Sequence, residues 1–240
     1  MEYYNGIYIR DTLGDMGTIP SVTGSPTYSP DIICYQDTPL SLTDAQISYG
    51  KYICKPFKQD GFNNIYIRAR NISNEPRTGK VRAYYAPINL LYTPKNWTAL
   101  ELLGGGREVD LTSREGCASG VGAGEKCLCN KAFFLDSVKE PEKHHCMMGL
   151  VSNADGSFIE LPEDFKNDNG LWEFLRMHPQ IAYNNITIEM PEERIFIAQP
   201  FRLPAGAVPA GNDTYLESIC ADIQNPPRII KPIILYFYIM

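Results

Sequence analysis

The sequence contains no run of basic residues, and its acidic side chains outnumber its basic ones. Lys and Arg total 22 against 28 Asp and Glu, for a net charge of -6 at pH 7. Proteins that bind nucleic acid present a basic face to the phosphates, and the best such group here is Arg68, Arg70 and Arg82. These arginines occupy outward positions on two predicted strands. We therefore interpret them as solvated residues and predict no nucleic-acid partner.

Long hydrophobic runs are missing as well. The most apolar stretch, 229–240, contains Lys231 and Pro232 and is shorter than the roughly 20 residues that span a bilayer. It indicates a buried strand over 233–239, so no membrane insertion is expected. The start of the chain has neither a basic region nor an apolar core, which predicts no secretory signal. We expect synthesis in the cytoplasm, with assembly there and signal-independent export both left open.

Disulfide pairing is not indicated, because the seven cysteines are odd in number and irregularly spaced. Without a secretory signal, we expect reduced thiols that pack as small apolar side chains. The cysteines are Cys34, Cys54, Cys117, Cys127, Cys129, Cys146 and Cys220.

The centre of the chain shows the alternation of apolar and polar residues that is typical of half-buried strands. Residues 64–71 and 81–87 both alternate with period two, and the polar stretch 72–79 between them has the composition of a turn. The 19 Gly and 18 Pro residues favour many further turns. The sequence therefore predicts an all-β, antiparallel fold.

The predicted organisation is an arm followed by one domain. Residues 1–28 form an N-terminal strand and an extended arm, and residues 29–240 form a single β-sandwich domain with insertions at about 98–131 and 152–184. The arm is rich in Gly, Ser, Thr and Pro. It is interpreted as lying over the body, as a mobile surface loop, or as reaching a neighbour in an assembly.

One short helix is predicted between residues 165 and 178, where apolar residues recur with helical spacing. Asp168 or Asn169 is expected to cap its start, and Pro179 to end it. The stretch 145–151 is apolar almost throughout, which predicts a central strand buried on both faces.

Three motifs resemble bacterial immunoglobulin-like domains of the adhesion-related, CARDB-like kind. These are Ser29-Pro30-Asp31-Ile32, the strand pattern of 64–71, and the pattern of 81–85. The resemblance implies an immunoglobulin-like β-sandwich in which 145–151 is a late core strand. It transfers no catalytic residue and no ligand. The chain is about twice the usual length of such domains.

The possible metal ligands are poorly spaced. Zinc favours four thiolate or imidazole ligands, but Cys127 and Cys129 are separated by one residue where structural sites use two to four. We therefore predict no metal and no cofactor. The possible metal ligands are Cys117, Cys127, Cys129, His144, His145 and Cys146.

No motif for nucleophilic catalysis is recognisable. A reactive cysteine needs a lowered pKa beside a base, whereas these cysteines fall in apolar strands or Gly-rich loops. His178 is expected to cap the end of the helix. The stretches 104–106 and 120–126 lack the Gly-Lys-Ser/Thr of a phosphate-binding loop. The sequence therefore predicts that the chain is not an enzyme.

The favoured function is a non-enzymatic binding or structural module that acts through protein–protein contact or self-association, as one subunit of a larger assembly. One alternative is a carbohydrate-binding module whose aromatic side chains stack on sugars. Another is an effector or hydrolase, exported without a signal peptide, with a site near Cys127 and His145. The candidate binding residues are Tyr3, Tyr4, Tyr8, Tyr28, Tyr84, Tyr92 and Trp97.

Overall fold

A computed structural model describes residues 2–22, 24–138 and 144–189, together with the backbone of 195–198 and 233–236. The chain divides into two compact units, Met1–Met190 and Pro191–Met240. The predicted boundary after residue 28 and the two predicted insertions stay predictions.

The described residues form short strands and two helices. The strands are β1 (Glu2–Tyr3), β2 (Ile7–Tyr8), β3 (Thr18–Ile19), β4 (Ile32–Cys34), β5 (Phe57–Lys58), β6 (Asp60–Asn71), β7 (Lys80–Pro87), β8 (Thr98–Ala99), β9 (Glu101–Leu102), β10 (Val109–Thr112), β11 (Lys126–Cys129), β12 (Phe133–Ser137), β13 (His145–Val151), β14 (Ile181–Ile186), β15 (Ile188–Glu189), β16 (Ile195–Ala198) and β17 (Ile233–Tyr236). The helices are α1 (Leu42–Ile47) and α2 (Asp168–Met177).

The main sheet of the first unit folds into two packed layers. The first layer is built around β6, which pairs with β2, β4, β11 and β12, and β9 extends it beside β12. The second layer is built around β7, which pairs with β8, β10 and β13, and β14 extends it beside β13. β10 pairs with β11 and joins the layers. All of these pairings are antiparallel, which confirms the predicted antiparallel β-sandwich.

Three short pairings complete the described sheets. β1 pairs with β3 in an antiparallel ribbon, and β5 pairs with β15 in parallel. In the second unit, β16 and β17 form a parallel pair. β17 begins at the predicted residue, and positions 237–239 of the predicted strand lie outside the described residues.

The inner faces of the two layers approach closely at Gly149. A Cβ atom at this position would lie 2.9 Å from the Cδ1 of Ile67 and 3.0 Å from the Cδ1 of Ile9. Contacts that short are repulsive, so a larger residue in β13 at this point would force the ends of these isoleucine side chains to move. The apolar residues of the predicted alternation in β6, such as Ile65 and Ile67, are buried here.

The outer face of the second layer is covered by α2. Leu171 and Leu175 of the helix pack with Phe165 and Trp97 against Met148 and its neighbours in β13 and β14. β13 is consequently buried along its whole length, which confirms the prediction for 145–151. Nearly all the contacts on this side are apolar, and burial of apolar area stabilises the helix on the sheet.

The predicted helix is confirmed, with a difference at its cap. Asn167, not Asp168 or Asn169, caps α2, and its side chain accepts a hydrogen bond from the Gly170 N. The backbone of Asn167 is extended, as is typical of an N-cap residue. His178 occupies the C-cap position, as predicted.

The outer face of the first layer is covered by the α1 segment, residues 40–52, and here one expectation was wrong. Arg68 is not solvated: it is fully buried, and its Nε donates to Asp31 Oδ1 at 2.9 Å. Its remaining donors bind the carbonyl oxygens of Ala45 at 3.0 Å and Pro30 at 2.8 Å. Every nitrogen of the guanidinium group therefore has an acceptor, as burial of a charge requires. Arg70, two residues on, is half-buried.

Asp31 binds a second arginine from the N-terminal arm. Arg10 donates to both of its carboxylate oxygens, at 2.7 and 2.9 Å, and stacks with its guanidinium carbon 3.5 Å from the centre of the Tyr49 ring. A bidentate pair of this kind is geometrically specific. The Arg10–Asp31–Arg68 network thus fastens the arm, β6 and the α1 segment to one carboxylate.

Candidate binding surface

The N-terminal arm, residues 2–28, lies along the body of the first unit. β2 pairs with the end of β6, and the Ile9 N donates to the Pro179 O at 3.0 Å. Further along, the Ser21 N donates to the Arg176 O at 2.8 Å. These hydrogen bonds hold the arm beside α2, so its outward side chains are presented by a fixed backbone.

Large apolar side chains are exposed on this arm. Among the described residues, those around the β1–β3 ribbon are Tyr3, Met16 and Val22, which are 69%, 60% and 60% exposed. We call these three the ribbon surface. The Tyr4 N donates to the Gly17 O at 2.8 Å, which brings both ends of the arm's first loop together. Because exposed apolar patches mark contact surfaces, we take these three residues as the candidate contact surface of the arm.

A groove runs between the arm and α2 and shares Val22 with the ribbon surface. It encloses about 540 Å³. Trp172 and Met177 of the helix give it apolar walls, and Glu173 and Arg176 give it charged ones. Arg176 is partly engaged, since its Nη2 donates to the Gly24 O at 3.1 Å. The groove therefore offers one aromatic ring flanked by polar groups.

The arm itself contains two buried carboxyl groups, those of Asp11 and Asp15. Burial, together with the neighbouring charge of Asp15, raises the pKa of Asp11 to about 8, against the smaller lowering effects of Ser21 and Arg176. The Asp11 Oδ1 atom has no hydrogen-bond partner among the described groups. Asp15 accepts from the Asp11 N at 3.1 Å and the Gly17 N at 2.8 Å. Asp15 thus holds the turn of the arm through two backbone amides, and Asp11 beside it is the carboxyl group whose pKa burial raises furthest.

The candidate binding residues from the sequence separate by burial. Tyr3 and Tyr28 are exposed, whereas Tyr8 and Trp97 are core residues that the folded surface does not offer to a partner. Burial raises the pKa of Tyr8 to about 12. The half-buried candidates are Tyr4, Tyr84 and Tyr92.

The half-buried aromatics lie in two places. Tyr84 packs beside Trp97 with ring centres 6.0 Å apart, and the Tyr92 hydroxyl donates to Asp168 Oδ1 at 2.6 Å. Tyr4 alone belongs to the arm. The sequence predicted none of Met16, Val22 and Trp172, although exposed apolar residues in a Gly-rich arm were an available signal.

The cysteine and histidine candidates do not form a metal site in the described part of the chain. Within the described residues, no group of three or more His, Cys, Asp or Glu side chains is placed to hold a metal ion. His144 Nε2 and Asn185 Oδ1 are 2.8 Å apart, and Cys146 Sγ lies 3.8 Å from the same oxygen. His145 faces the other way and pairs with the Tyr85 hydroxyl through Nδ1 at 2.7 Å.

The buried thiols are poor nucleophiles. Burial raises the pKa of Cys129 to about 12 and that of Cys146 to about 11, and it raises the pKa of Cys127 well above its ordinary value. A thiolate is needed for attack, so these groups are protonated at neutral pH. Cys117 is exposed. The geometry consequently gives no support to a Cys127–His145 site.

No protein-family model and no curated protein matches the chain. The solved structures that resemble it include a CARDB domain from Pyrococcus furiosus in complex with di-metal ions. That domain is 13% identical, with a TM-score of 0.31, over 55% of this chain and 78% of that one.

Two further similar structures are a β-glucuronidase and AsqI. A β-glucuronidase from Bacteroides uniformis is 12% identical over 57% of this chain and 12% of its own, with a TM-score of 0.29. AsqI with Zn is 9% identical over 76% of this chain and 38% of its own, also at 0.29. Such TM-scores carry no family, ligand or activity to this chain, and the CARDB-like assignment stays a prediction. None of the helices in the described residues is long and apolar enough to cross a membrane.

Proposed function

We propose that the chain is a non-enzymatic binding module that self-associates through the ribbon surface. The observation that carries this proposal is the exposure of Tyr3, Met16 and Val22 on a backbone that is fastened to the body. A backbone that is already fixed loses little conformational entropy on association, so more of the gain from burying these side chains remains as affinity.

A second copy of the chain is the occupant that the ribbon fits. β1 pairs with β3 on one edge only, and its other edge meets no strand in the described residues. An open edge is a template for pairing with another chain. Two copies related by a two-fold axis would present identical apolar surfaces and antiparallel edges to each other, which closes the assembly.

The test compares a triple variant of the ribbon surface with a double variant that serves as its control. Tyr3→Ser, Met16→Ser and Val22→Ser together remove the ribbon surface. Ile47→Ser with Leu103→Ser is the matched control, because those side chains are 78% and 74% exposed and lie elsewhere. Light scattering after size exclusion should give a dimer or larger assembly for the wild type and the control, and a monomer for the ribbon variant. A monomeric wild type, or a ribbon variant that still associates, refutes the proposal.

A second candidate function is favoured by the groove beside α2. Trp172 is flanked there by the side chains of Asn169, Glu173 and Arg176. An aromatic ring with neighbouring hydrogen-bonding groups suits a saccharide, whose faces are apolar and whose edges carry hydroxyls. This arrangement supports a carbohydrate-binding module as the alternative.

The two tryptophans of the chain make that alternative directly measurable. Trp97 is buried, so a change in tryptophan fluorescence on titration with a glycan reports on Trp172. Saturable quenching or enhancement that Glu173→Ala weakens would favour the saccharide site. No response across a glycan panel would eliminate it and leave self-association as the function to test.

A further inference from the structure

Two cysteines from different segments meet at the end of β4. The Cys54 Sγ lies 3.3 Å from the backbone N of Cys34. The next residue along, Lys55, donates its N–H to the Cys34 O at 2.9 Å. Residues 32–34 and 54–55 therefore run side by side, with one sulfur already against the backbone of the other cysteine.

The separation of the two residues suits a disulfide. An Sγ atom lies about 2.8 Å from its own Cα and an amide N about 1.5 Å from its own, so the 3.3 Å contact keeps the two Cα atoms within about 7.6 Å even in a straight line. Any bend shortens this distance toward the roughly 4.4–6.8 Å that disulfides span. The Cys34 Sγ makes only weak polar contacts, 3.7 Å to Asn63 Oδ1 and 4.0 Å to the Pro56 O, and its side chain packs in the apolar core. Bond formation therefore requires this side chain to turn from the core toward Cys54.

We infer that Cys34 and Cys54 form an intramolecular disulfide when the protein meets a small-molecule disulfide such as oxidised glutathione. Cys54 is exposed and Cys34 is buried, which fixes the order of events. The Cys54 thiolate attacks the glutathione disulfide, forms a mixed disulfide and releases one glutathione thiolate. Burial raises the pKa of the Cys34 thiol to about 12, which makes the second step the slow one. When the 34–54 loop opens, the Cys34 sulfur loses its proton to solvent, attacks the Cys54 sulfur and releases the second glutathione. The two cysteines are oxidised by two electrons, and one glutathione disulfide is reduced to two thiols.

The bond would fasten the cover of the charged side of the sandwich. The closed loop, 34–54, contains α1 and Tyr49. Ala45 and Tyr49 of this loop supply carbonyl acceptors to Arg68 and Arg10, respectively. A cross-link at the base of the loop restricts the unfolded chain, so the oxidised protein should resist local opening of the α1 segment. The reduced protein keeps the cover by noncovalent contacts alone.

Burial raises the pKa of Cys54 and raises that of Cys34 to about 12, so the reaction needs a pH above the ordinary pKa of a thiol. The test is incubation of the full chain with oxidised glutathione at about pH 9, followed by digestion without reductant. Trypsin cleaves after Arg10, Lys51 and Lys58, and the bond between Lys55 and Pro56 resists it. The two cysteines therefore fall in separate peptides, 11–51 and 52–58, which only the disulfide joins.

We expect the joined peptide in the wild type and in Cys117→Ser, which removes the other cysteine that is exposed in the described part of the chain, and its loss in Cys54→Ser. The melting temperature of the oxidised wild type should exceed that of the reduced protein by about 5–10 °C, the shift that closing a loop of this length gives in a domain of this size. A glutathione adduct that persists on Cys54, or peptides that stay separate, would overturn the inference.

Discussion

On the α1 side of the sandwich, the sheet is covered through charge: Arg68 and Arg10 share Asp31, and the covering segment supplies carbonyl oxygens to both guanidinium groups. On the α2 side, the sheet is covered through apolar contact, with Leu171 and Leu175 packed among aromatic rings. A buried charge tolerates no missing partner, whereas an apolar contact needs only area. The charged side therefore depends on specific partners, while the apolar side depends on packed area and borders the groove beside the arm.

The largest expected effect comes from breaking the charged side. Arg68→Met should lower the free energy of unfolding by on the order of 3–5 kcal/mol, because it leaves Asp31 with one partner and strands the carbonyl groups of Ala45 and Pro30. Arg70→Met, a change of the same chemistry on the same strand at a half-buried position, should cost about 1 kcal/mol or less. Urea unfolding followed by circular dichroism measures both. Equal losses of unfolding free energy in the two variants would show that the Arg10–Asp31–Arg68 network contributes no more to stability than a half-buried arginine does.

The matching change on the apolar side is Leu171→Ala. Leu171 is fully buried, so its truncation should cost about 2–4 kcal/mol through lost burial and the cavity left behind. Met177→Ala, on the same helix but 44% exposed, serves as the control and should stay within about 0.5 kcal/mol. If Leu171→Ala costs no more than the control, α2 is not fastened by its apolar face.

Between the two covered faces, Gly149→Ala probes the interior that both sides share. The added methyl group would lie 2.9 Å from the Ile67 Cδ1, so the packed isoleucine side chains must move away from it. We expect a loss of about 1–3 kcal/mol. Ile67→Val combined with Gly149→Ala should recover part of it, and the absence of any recovery would mean that another contact causes the strain.

An effect of pH on stability is also expected, and it belongs to the arm. Burial raises the pKa of Asp11 to about 8 in the folded protein, above its value of roughly 3.9 in the unfolded chain. The folded state therefore binds more protons between these values, and this carboxyl contributes less stability as pH rises from about 4 to about 8. In Asp11→Asn, the fall in melting temperature between pH 5 and pH 8 should be smaller than in the wild type. If the melting temperature of Asp11→Asn falls as much as that of the wild type, a group other than Asp11 causes the pH dependence.

Particular residues show where sequence reasoning succeeds. Alternation in β6 located the core positions Ile65 and Ile67, because a strand presents every second side chain to the same face. Ser41, followed by Asp44 three residues later, is the capping pattern that marks the start of α1. That helix was missed although a local signal existed.

Other features depend on distant contacts. Arg68 and Arg70 occupy equivalent positions in the pattern, and only the partner Asp31, 37 residues earlier, distinguishes the buried one. Tyr8 and Trp97 likewise look like any exposed aromatic until the layers pack. The ribbon surface and the groove depend on where the arm lies, which its composition does not encode. Because β2 and Arg10 belong to that arm, its deletion would remove core and network residues together, so point variants are the sharper test.

The most direct test of self-association through the ribbon is hydrogen–deuterium exchange of the wild-type chain at several protein concentrations. Pairing between copies would protect the amides around β1 and β3 as the concentration rises, since a bound edge exchanges more slowly. Amides of the α1 segment should show no such dependence. Protection around Tyr3 and Thr18 that increases with concentration is the result we predict. Exchange at these amides that is the same at every concentration, across a range reaching millimolar, would contradict the account.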